Sequence, residues 1–104
     1  MNRLQDSHAD YPPPGMELGF IERHVGLKGR RILEIGCGDG RLTRQYAHLA
    51  SSVFAIEPDP ARIAVARRMA TSEGINNVSF RVGTAERLRR GGEPFDVALF
   101  SWSL

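Results

Sequence analysis

Residues 31–43 read RILEIGCGDGRLT, and this stretch decides the fold. The short apolar segment from Arg31 to Ile35 stops at Gly36, which predicts a β-strand. Glycines at alternate positions, 36, 38 and 40, then let the backbone turn tightly and approach a ligand without Cβ clashes. From Arg41 onward, apolar residues recur at the spacing of a helix. The stretch is therefore a strand, a glycine loop and the start of a helix.

Apolar spacing predicts a first helix over residues 41–50. Its inward face carries Leu42, Tyr46 and Leu49. A second helix is expected after Asp59, a favoured N-cap residue, with Pro60 in its first turn and Gly74 at its end. Its inward positions are Ile63, Val65, Ala66, Met69 and Ala70.

Strands alternate with these helices. They are predicted at 31–35, 52–57, 78–82 and 95–100, and one or two helical turns are expected at 85–90. Nearly all-apolar strands separated by helices predict an α/β fold with a parallel sheet. If strands 1 to 3 wind outward and the fourth returns beside the first, the strand order is 3-2-1-4. Ligands then bind at the switch point between strands 1 and 4.

The chain of 104 residues is expected to hold one domain, at 16–104, after a flexible tail at 1–15. The tail lacks apolar periodicity and ends in a proline run that favours extended backbone. Residues 16–25 fit an amphipathic helix.

Composition excludes several classes of function. No apolar run approaches the roughly 18 residues of a membrane-spanning helix, so no membrane partner is expected. A net charge of +2 is too small to favour nucleic acid as a partner. The single cysteine, Cys37, cannot form an internal disulfide and offers no metal-ligand spacing. A reducing cytoplasm is the predicted location.

The spacing of the glycine loop separates two classes of nucleotide site. The dinucleotide fingerprint G-x-G-x-x-G needs its third glycine where this chain has Arg41. This argues against NAD or FAD, and the absence of Gly-Lys-Ser/Thr excludes a P-loop. Glu57 ends strand 2, where an acid can accept hydrogen bonds from both hydroxyls of a ribose. Loop and acid together predict a nucleoside-containing cofactor without a pyrophosphate.

Four ordered motifs resemble those of the class I S-adenosylmethionine-dependent methyltransferases. They are ILEIGCGDGRLT at 32–43, AIEPD at 55–59, GTAERL at 83–88 and FDVALFS at 95–101. The resemblance implies a Rossmann-like fold and an enzyme that uses S-adenosylmethionine to methylate a small molecule. Its rivals are a nicotinamide-dependent oxidoreductase, which the glycine spacing disfavours, and a non-catalytic or partner-completed S-adenosylmethionine-binding module.

The resemblance also implies roles for single residues. Glu34 would help hold the ammonium group of the cofactor, Glu57 would bind the ribose, and Pro58 would pack on the adenine face. Thr84 stands at the adenine edge where the family commonly has an acid, and Glu86 is an alternative acceptor. No catalytic base is implied. The full set of implied cofactor-binding residues is Glu34, Gly36, Cys37, Gly38, Gly40, Glu57, Pro58, Thr84, Ala85 and Ser101.

In this family the fold normally continues past strand 4 with a helix, a fifth strand and an antiparallel terminal pair. The resemblance therefore implies a cofactor-binding half, truncated before the usual strands 5–7. Strand 4 is expected to be an apolar edge without protective charges or prolines, so self-association through residues 95–101 is predicted.

Overall fold

The computed structural model describes residues 26–85 and 95–101. Its strands are β1 at Arg31–Ile35, β2 at Ser52–Glu57, β3 at Val78–Val82 and β4 at Val97–Phe100. Its helices are α1 at Arg41–Tyr46 and α2 at Pro60–Ser72. All strand pairs are parallel, and the sheet order is β3-β2-β1-β4. The predicted α/β fold and strand order are confirmed.

Three sequence predictions fall on other parts of the chain. The tail at 1–15, the helix at 16–25 and all but the first residue of the helical segment at 85–90 lie outside the described residues. The domain boundary at residue 16 therefore stays a prediction.

One face of the sheet packs against both helices. The register pairs Ile32 with Val53 and Ala55 with Phe80, so these side chains share that face. They join one buried cluster with Ile63 of α2 and with residues of α1. Burial of this apolar surface supplies the main favourable free energy of folding. The cluster contains Leu27, Ile32, Cys37, Leu42, Tyr46, Ala50, Val53, Ala55, Ile63, Ala66, Ala70, Phe80 and Leu99.

Helix α1 is shorter than the sequence predicts, because it ends at Tyr46 instead of Ala50. The N–H of Leu49 donates to the Tyr46 carbonyl at 2.8 Å and that of Ala50 to the Ala47 carbonyl at 3.1 Å, which makes tight turns. The Asn77 side chain donates to the Ala47 and Ala50 carbonyls at 2.8 and 3.2 Å. A side-chain amide distant in sequence thus satisfies carbonyls that would otherwise continue the helix.

Helix α2 begins and ends as the sequence predicts. The Asp59 carboxylate accepts from the Ala61 N–H at 2.9 Å, and Pro60 is the first helical residue. Gly74, with φ +74°, follows the helix in the left-handed region. Of the predicted inward positions, Ile63, Ala66 and Ala70 are buried, and Val65 and Met69 are half-buried.

Strand β4 begins at Val97, two residues later than predicted. The Arg31 N–H donates to the side chain of Asp96 at 2.8 Å instead of to a strand carbonyl. Phe95 is 42% exposed, and its ring lies 6.1 Å from that of Phe54. The Asp96 N–H in turn donates to the Arg31 carbonyl at 2.8 Å, so the backbone and the side chain of Asp96 together bond to Arg31 where β1 and β4 begin to pair.

The outer edge of β3 carries a side-chain hydrogen bond. The Val53 N–H donates to the Asn77 carbonyl, and the alternation of parallel strands then turns the Phe80 carbonyl away from β2. Arg67 of α2 donates to this carbonyl through Nη2 at 2.6 Å. An acceptor on the sheet edge is therefore satisfied within the chain.

Two side chains with a titratable proton, Cys37 and Tyr46, are buried in the core. Burial raises the pKa of the Cys37 thiol far above its ordinary value of 9.0, and the charges of Glu34 and Glu57 raise it further. Burial, followed by the charge and hydrogen bond of Glu34, raises the pKa of Tyr46 well above 10.0. Both groups are neutral in the folded protein near pH 7.

Replacing Gly40 by alanine should destabilise the protein more than replacing Gly74. Both residues have positive φ, 81° and 74°, so each alanine costs roughly 1–2 kcal/mol of backbone strain. A Cβ at Gly40 would also lie 3.1 Å from the Ala66 Cβ and 3.2 Å from the Phe80 ring, whereas one at Gly74 meets nothing within 4 Å. We expect Gly40→Ala to lose about 1–3 kcal/mol more in urea unfolding. Equal losses would contradict this packing.

The stability of the protein should fall above pH 9 through Cys37. Below its ordinary pKa of 9.0 the thiol is protonated in both states and contributes nothing. Above it the unfolded chain loses the proton that the folded chain keeps, so the free energy of unfolding falls as pH rises. Between pH 7.5 and 10 the wild type should lose on the order of 1.4 kcal/mol more than Cys37→Ala in urea unfolding. Parallel pH profiles for the two proteins would show that this thiol titrates normally.

Candidate functional site

Three strand ends meet at one edge of the sheet. Ile35 is in register with Ile56 of β2 and with Phe100 of β4. The glycine loop, residues 36–40, therefore starts beside Glu57 on one side and Ser101 on the other. The Ser101 N–H donates to the Ile35 carbonyl at 3.0 Å, which holds the end of β4 against β1. The geometry places this edge at the predicted switch point.

The glycine loop has a backbone that requires glycine. Gly36, Gly38 and Gly40 have φ angles of 80°, 60° and 81°, in the left-handed region that other residues rarely adopt. Among the residues that the structure describes, positive φ occurs only at glycine. Alternating glycines are thus needed to give the loop its shape.

The N–H groups of the glycine loop donate within the chain. Those of Gly36 and Cys37 donate to the Ile56 carbonyl at 2.9 and 3.0 Å. That of Gly40 donates to the Cys37 carbonyl at 3.0 Å, and that of Arg41 to the Asp39 carboxylate at 3.2 Å. Few backbone donors therefore remain for an anionic ligand.

Glu57 faces the glycine loop. Its Oε1 accepts from the Gly38 N–H at 2.9 Å, and its Oε2 accepts from the Asp59 N–H at 3.1 Å. The residue is 9% exposed, and each carboxylate oxygen keeps a further acceptor position. Asp59, not Glu57, caps helix α2. The Glu57 carboxylate is thus oriented by the loop it borders.

Glu34 lies on the core side of the loop and is fully buried. Its Oε1 accepts from the Thr43 hydroxyl at 2.6 Å and the Tyr46 hydroxyl at 2.7 Å. Its Oε2 accepts from the Ser101 hydroxyl, which also lies 3.3 Å from the Gly36 carbonyl. We call Glu34, Thr43, Tyr46 and Ser101 the Glu34 network. It joins β1, α1 and the end of β4.

The remaining predicted site residues lie around Glu57. Pro58 follows it and is exposed. The Gly83 N–H donates to the Glu57 carbonyl at 3.0 Å, which brings the segment after β3 beside β2. In that segment Thr84 is half-buried and Ala85 is exposed. Glu86, the alternative acceptor, lies outside the described residues.

Cys37 belongs to the loop but is buried, with 6% of its surface exposed. Its thiol donates to the Gly38 carbonyl at 3.7 Å. With its pKa raised by burial, the thiol is neutral near pH 7 and is a poor nucleophile. The residue therefore fills space under the loop.

Thr43 and Tyr46 are site-supporting residues that sequence analysis did not single out. Tyr46 was predicted only as part of the apolar face of α1. The available signal was a threonine and a tyrosine three residues apart on that face, close enough to bind one partner. What remained hidden was that this partner is the carboxylate of Glu34.

The site is lined with acceptors. Two carboxylates flank the glycine loop, one oriented by Gly38 and one buried beneath it. Of the two, only Glu57 has any exposed surface, 9%, and its carboxylate suits a ligand that carries hydroxyl donors or positive charge and repels phosphate. In the described part of the chain, no group of three or more His, Cys, Asp or Glu residues could hold a metal ion. Helices there are too short or too polar to cross a bilayer.

Comparison with known proteins gives the family. A family model described as "Methyltransferase domain" matches residues 32–104. A protein of Azorhizobium caulinodans named "Ubiquinone biosynthesis O-methyltransferase" is 41% identical in an alignment covering 93% of this chain and 42% of the relative. The chain thus spans about two fifths of the length of this curated relative.

Solved structures show the same fold. The YcgJ protein from Bacillus subtilis matches with a TM-score of 0.75 and 25% identity, over 83% of this chain and 37% of that one. A dimethyladenosine transferase from Plasmodium falciparum matches with a TM-score of 0.74 and 32% identity, over 85% of this chain and 31% of that one. Since the family model covers more than two thirds of the sequence, from β1 onward, the chain belongs to the methyltransferase domain family.

Proposed function

We propose that this chain is the S-adenosylmethionine-binding part of an O-methyltransferase that acts on a small molecule. The single observation that carries the cofactor assignment is the Glu57 carboxylate, buried beside the glycine loop and accepting from the Gly38 N–H at 2.9 Å. Family membership supports the reaction class. The O-methylation and the acceptor come from the name of the Azorhizobium relative.

The residues present fit an adenosyl sulfonium ligand. Glu57 has acceptor capacity on both oxygens, which matches the two hydroxyls of a ribose. A ribose bound there brings the base toward Pro58 and the Thr84–Ala85 segment, where the sequence resemblance places the adenine. The acceptors of Glu57 therefore suit an uncharged diol that is attached to a cationic group.

The same residues argue against a dinucleotide. A pyrophosphate needs free N–H groups at the glycine loop, as in nucleotide-binding folds. Here the loop N–H groups of Gly36, Cys37 and Gly40 donate to carbonyls, and that of Gly38 donates to Glu57. A phosphate in this position would also face the negative charge of Glu57. The nicotinamide-dependent alternative is thus disfavoured by structure as well as by spacing.

Catalysis in such a site depends mainly on how the cofactor and the acceptor are positioned relative to each other. The bound cofactor supplies an already activated methyl group on a sulfonium sulfur. This chain would bind the nucleoside at Glu57, hold the loop rigid through its internal hydrogen bonds and keep the end of β4 beside β1. Alignment of the acceptor and exclusion of water would supply much of the rate.

The proposed acceptor is a hydroxyl group on an intermediate of ubiquinone biosynthesis, as the name of the relative suggests. An O-methyl transfer requires that the hydroxyl lose its proton, so a general base or a lowered pKa of the acceptor is needed. No described residue of this chain is assigned that role. We further propose a cytoplasmic location, which the single cysteine and the absence of disulfides support.

Replacement of Glu57 tests the cofactor assignment. Glu57→Ala removes two charge-assisted hydrogen bonds, each worth about 1.5–3 kcal/mol, so affinity for S-adenosylhomocysteine should fall at least 100-fold in titration calorimetry. Glu57→Gln keeps one good acceptor and should be intermediate. Glu73→Ala, which removes an exposed carboxylate paired with Arg44, is the matched control and should bind normally.

The outcome is interpretable only with folded variants, so each protein is first checked by near-ultraviolet circular dichroism. Wild-type affinity for NAD exceeding that for S-adenosylhomocysteine would favour the oxidoreductase alternative. Unchanged binding by Glu57→Ala would remove the ribose assignment. Methyl transfer to hydroxyl acceptors is then measured on the full-length protein.

Self-association through residues 95–101 stays a proposal. Among the described strands β4 pairs only with β1, and Ala98 and Phe95 are exposed. If the outer edge of β4 joins two chains, Ala98→Lys, which places a charge on the exposed strand, should shift a concentration-dependent dimer toward monomer in size-exclusion chromatography. A monomer at all concentrations would contradict self-association and leave a small-molecule acceptor as the proposed partner.

A further inference from the structure

A groove of about 370 Å³ lies between helix α2 and the outer edge of β3. Its described lining includes neither Glu57 nor any residue of the glycine loop, so it is separate from the site described above. The half-buried side chains of Ile75 and Val78 give it an apolar part. Its charged lining residues among those described are Arg67 and Arg81, both of them exposed. The groove therefore combines an apolar surface with positive charge.

The backbone of Phe80 faces this groove from the edge of β3. At one end of the strand the Val53 N–H donates to the Asn77 carbonyl at 2.9 Å, and at the other end the Gly83 N–H donates to the Glu57 carbonyl at 3.0 Å. Backbone groups of parallel strands alternate in direction, so the N–H and the C=O of Phe80 both point away from β2. Strand β3 ends the described sheet on this side, and no described strand pairs with them.

Arg67 changes the hydrogen-bonding character of this edge. An unpaired residue of an edge strand ordinarily offers one donor and one acceptor. Here Nη2 of Arg67 donates to the Phe80 carbonyl at 2.6 Å, which satisfies the acceptor. The other N–H groups of the guanidinium have no partner in the described part of the chain. At Phe80 the edge therefore offers a backbone N–H beside a cationic group that also donates.

Arg81 adds a second positive charge to the lining. Its guanidinium carbon lies 5.8 Å from the centroid of the Phe54 ring, a cation–π contact that holds the side chain against the sheet. Neither Arg67 nor Arg81 forms an ion pair within the described chain, and no described acidic residue lines the groove. Two positioned cations without carboxylate partners attract an anionic group to this edge.

We propose that this groove is a docking site for an acidic peptide segment of a partner protein, with a glutamate or aspartate carboxylate bound between the Phe80 N–H and the Arg67 guanidinium. A carboxylate accepts hydrogen bonds at both oxygens, so it matches two adjacent donors. Apolar residues on either side of the bound acid contact Ile75 and Val78. The inference concerns a different part of the surface from the cofactor site and does not depend on the proposed function.

Two other occupants match the groove less well. A second copy of this chain that paired its β3 edge by two-fold symmetry would bring its own Arg67 and Arg81 against the same two residues, so like charges would face each other. A nucleic acid gains its affinity from many phosphate contacts, whereas the described lining has two arginines. An acidic peptide uses the charge, the backbone donor and the apolar part together.

A peptide titration of the 104-residue chain, followed by amide NMR spectra, tests the site. The probe is acetyl-Ala-Val-Glu-Val-Ala-amide, and the reference is the same peptide with Gln in place of Glu. The Glu peptide should bind at least about 10-fold more tightly, because only a carboxylate forms charge-assisted hydrogen bonds with both donors. The amide resonance of Phe80 should shift on binding. That of Gly38, which donates to Glu57 in the cofactor site, should not.

Arg67→Met tests the guanidinium, because it keeps a long side chain on α2 without the charge. It should raise the Kd of the Glu peptide about 10-fold and reduce the preference over the Gln peptide to less than about 3-fold. Arg68→Met is the matched control, since it removes the same charge from the next exposed residue of α2, which does not line the groove. Its Kd should stay within about 2-fold of wild type. Arg67→Lys keeps the charge without the planar donors and should be intermediate.

Several results would overturn the inference. Equal affinity of the wild type for the two peptides does so, whether or not Arg67→Met folds. Equal losses in Arg67→Met and Arg68→Met would show a general effect of charge instead of a site. Inorganic phosphate or a uridine hexanucleotide that binds as tightly as the Glu peptide would show that the groove does not select a peptide. A Phe80 amide shift that depends on protein concentration without peptide would identify a second copy as the occupant.

Discussion

The hydrogen bond from the Gly38 N–H to the Glu57 carboxylate joins the two halves of the site. It uses a loop N–H that could otherwise bind a phosphate, and it orients a carboxylate that keeps acceptor capacity on both oxygens. The bond is possible because β1 and β2 end in register, so that the residues following Ile35 lie beside the end of β2. Ligand class, loop shape and sheet topology are therefore coupled through one contact.

Two carboxylates border the same loop in opposite environments. Glu57 lies at the surface of the cleft with 9% exposure, and two backbone N–H groups orient it. Glu34 is enclosed, and hydroxyl groups from separate elements surround it. The first keeps acceptor capacity near the surface, and the second is bonded to protein hydroxyls. Sequence alone does not distinguish these environments, since each acid lies at or near the end of an apolar strand.

Much of the fold could be predicted from sequence because its signals are local. Strands β1, β2 and β3 have the predicted bounds, since each apolar run is bordered by glycine or polar residues. Helix α2 has its predicted cap at Asp59 because capping depends on adjacent residues. The predicted end of α1 and the predicted start of β4 were wrong. Asn77 and Asp96 form the hydrogen bonds that set these bounds, and they form them with residues distant in sequence. The hydroxyl partners of Glu34 were hidden for the same reason, as they come from α1 and from the end of β4.

Arg67 covers part of one edge of the sheet. Its guanidinium donates to the Phe80 carbonyl on the unpaired side of β3. A strand pairing with that side of β3 would need the same carbonyl as an acceptor. The opposite boundary of the sheet is β4, which pairs with β1 among the described strands. The two edges of the sheet therefore differ: a strand added beside β3 would have to displace the Arg67 guanidinium from the Phe80 carbonyl.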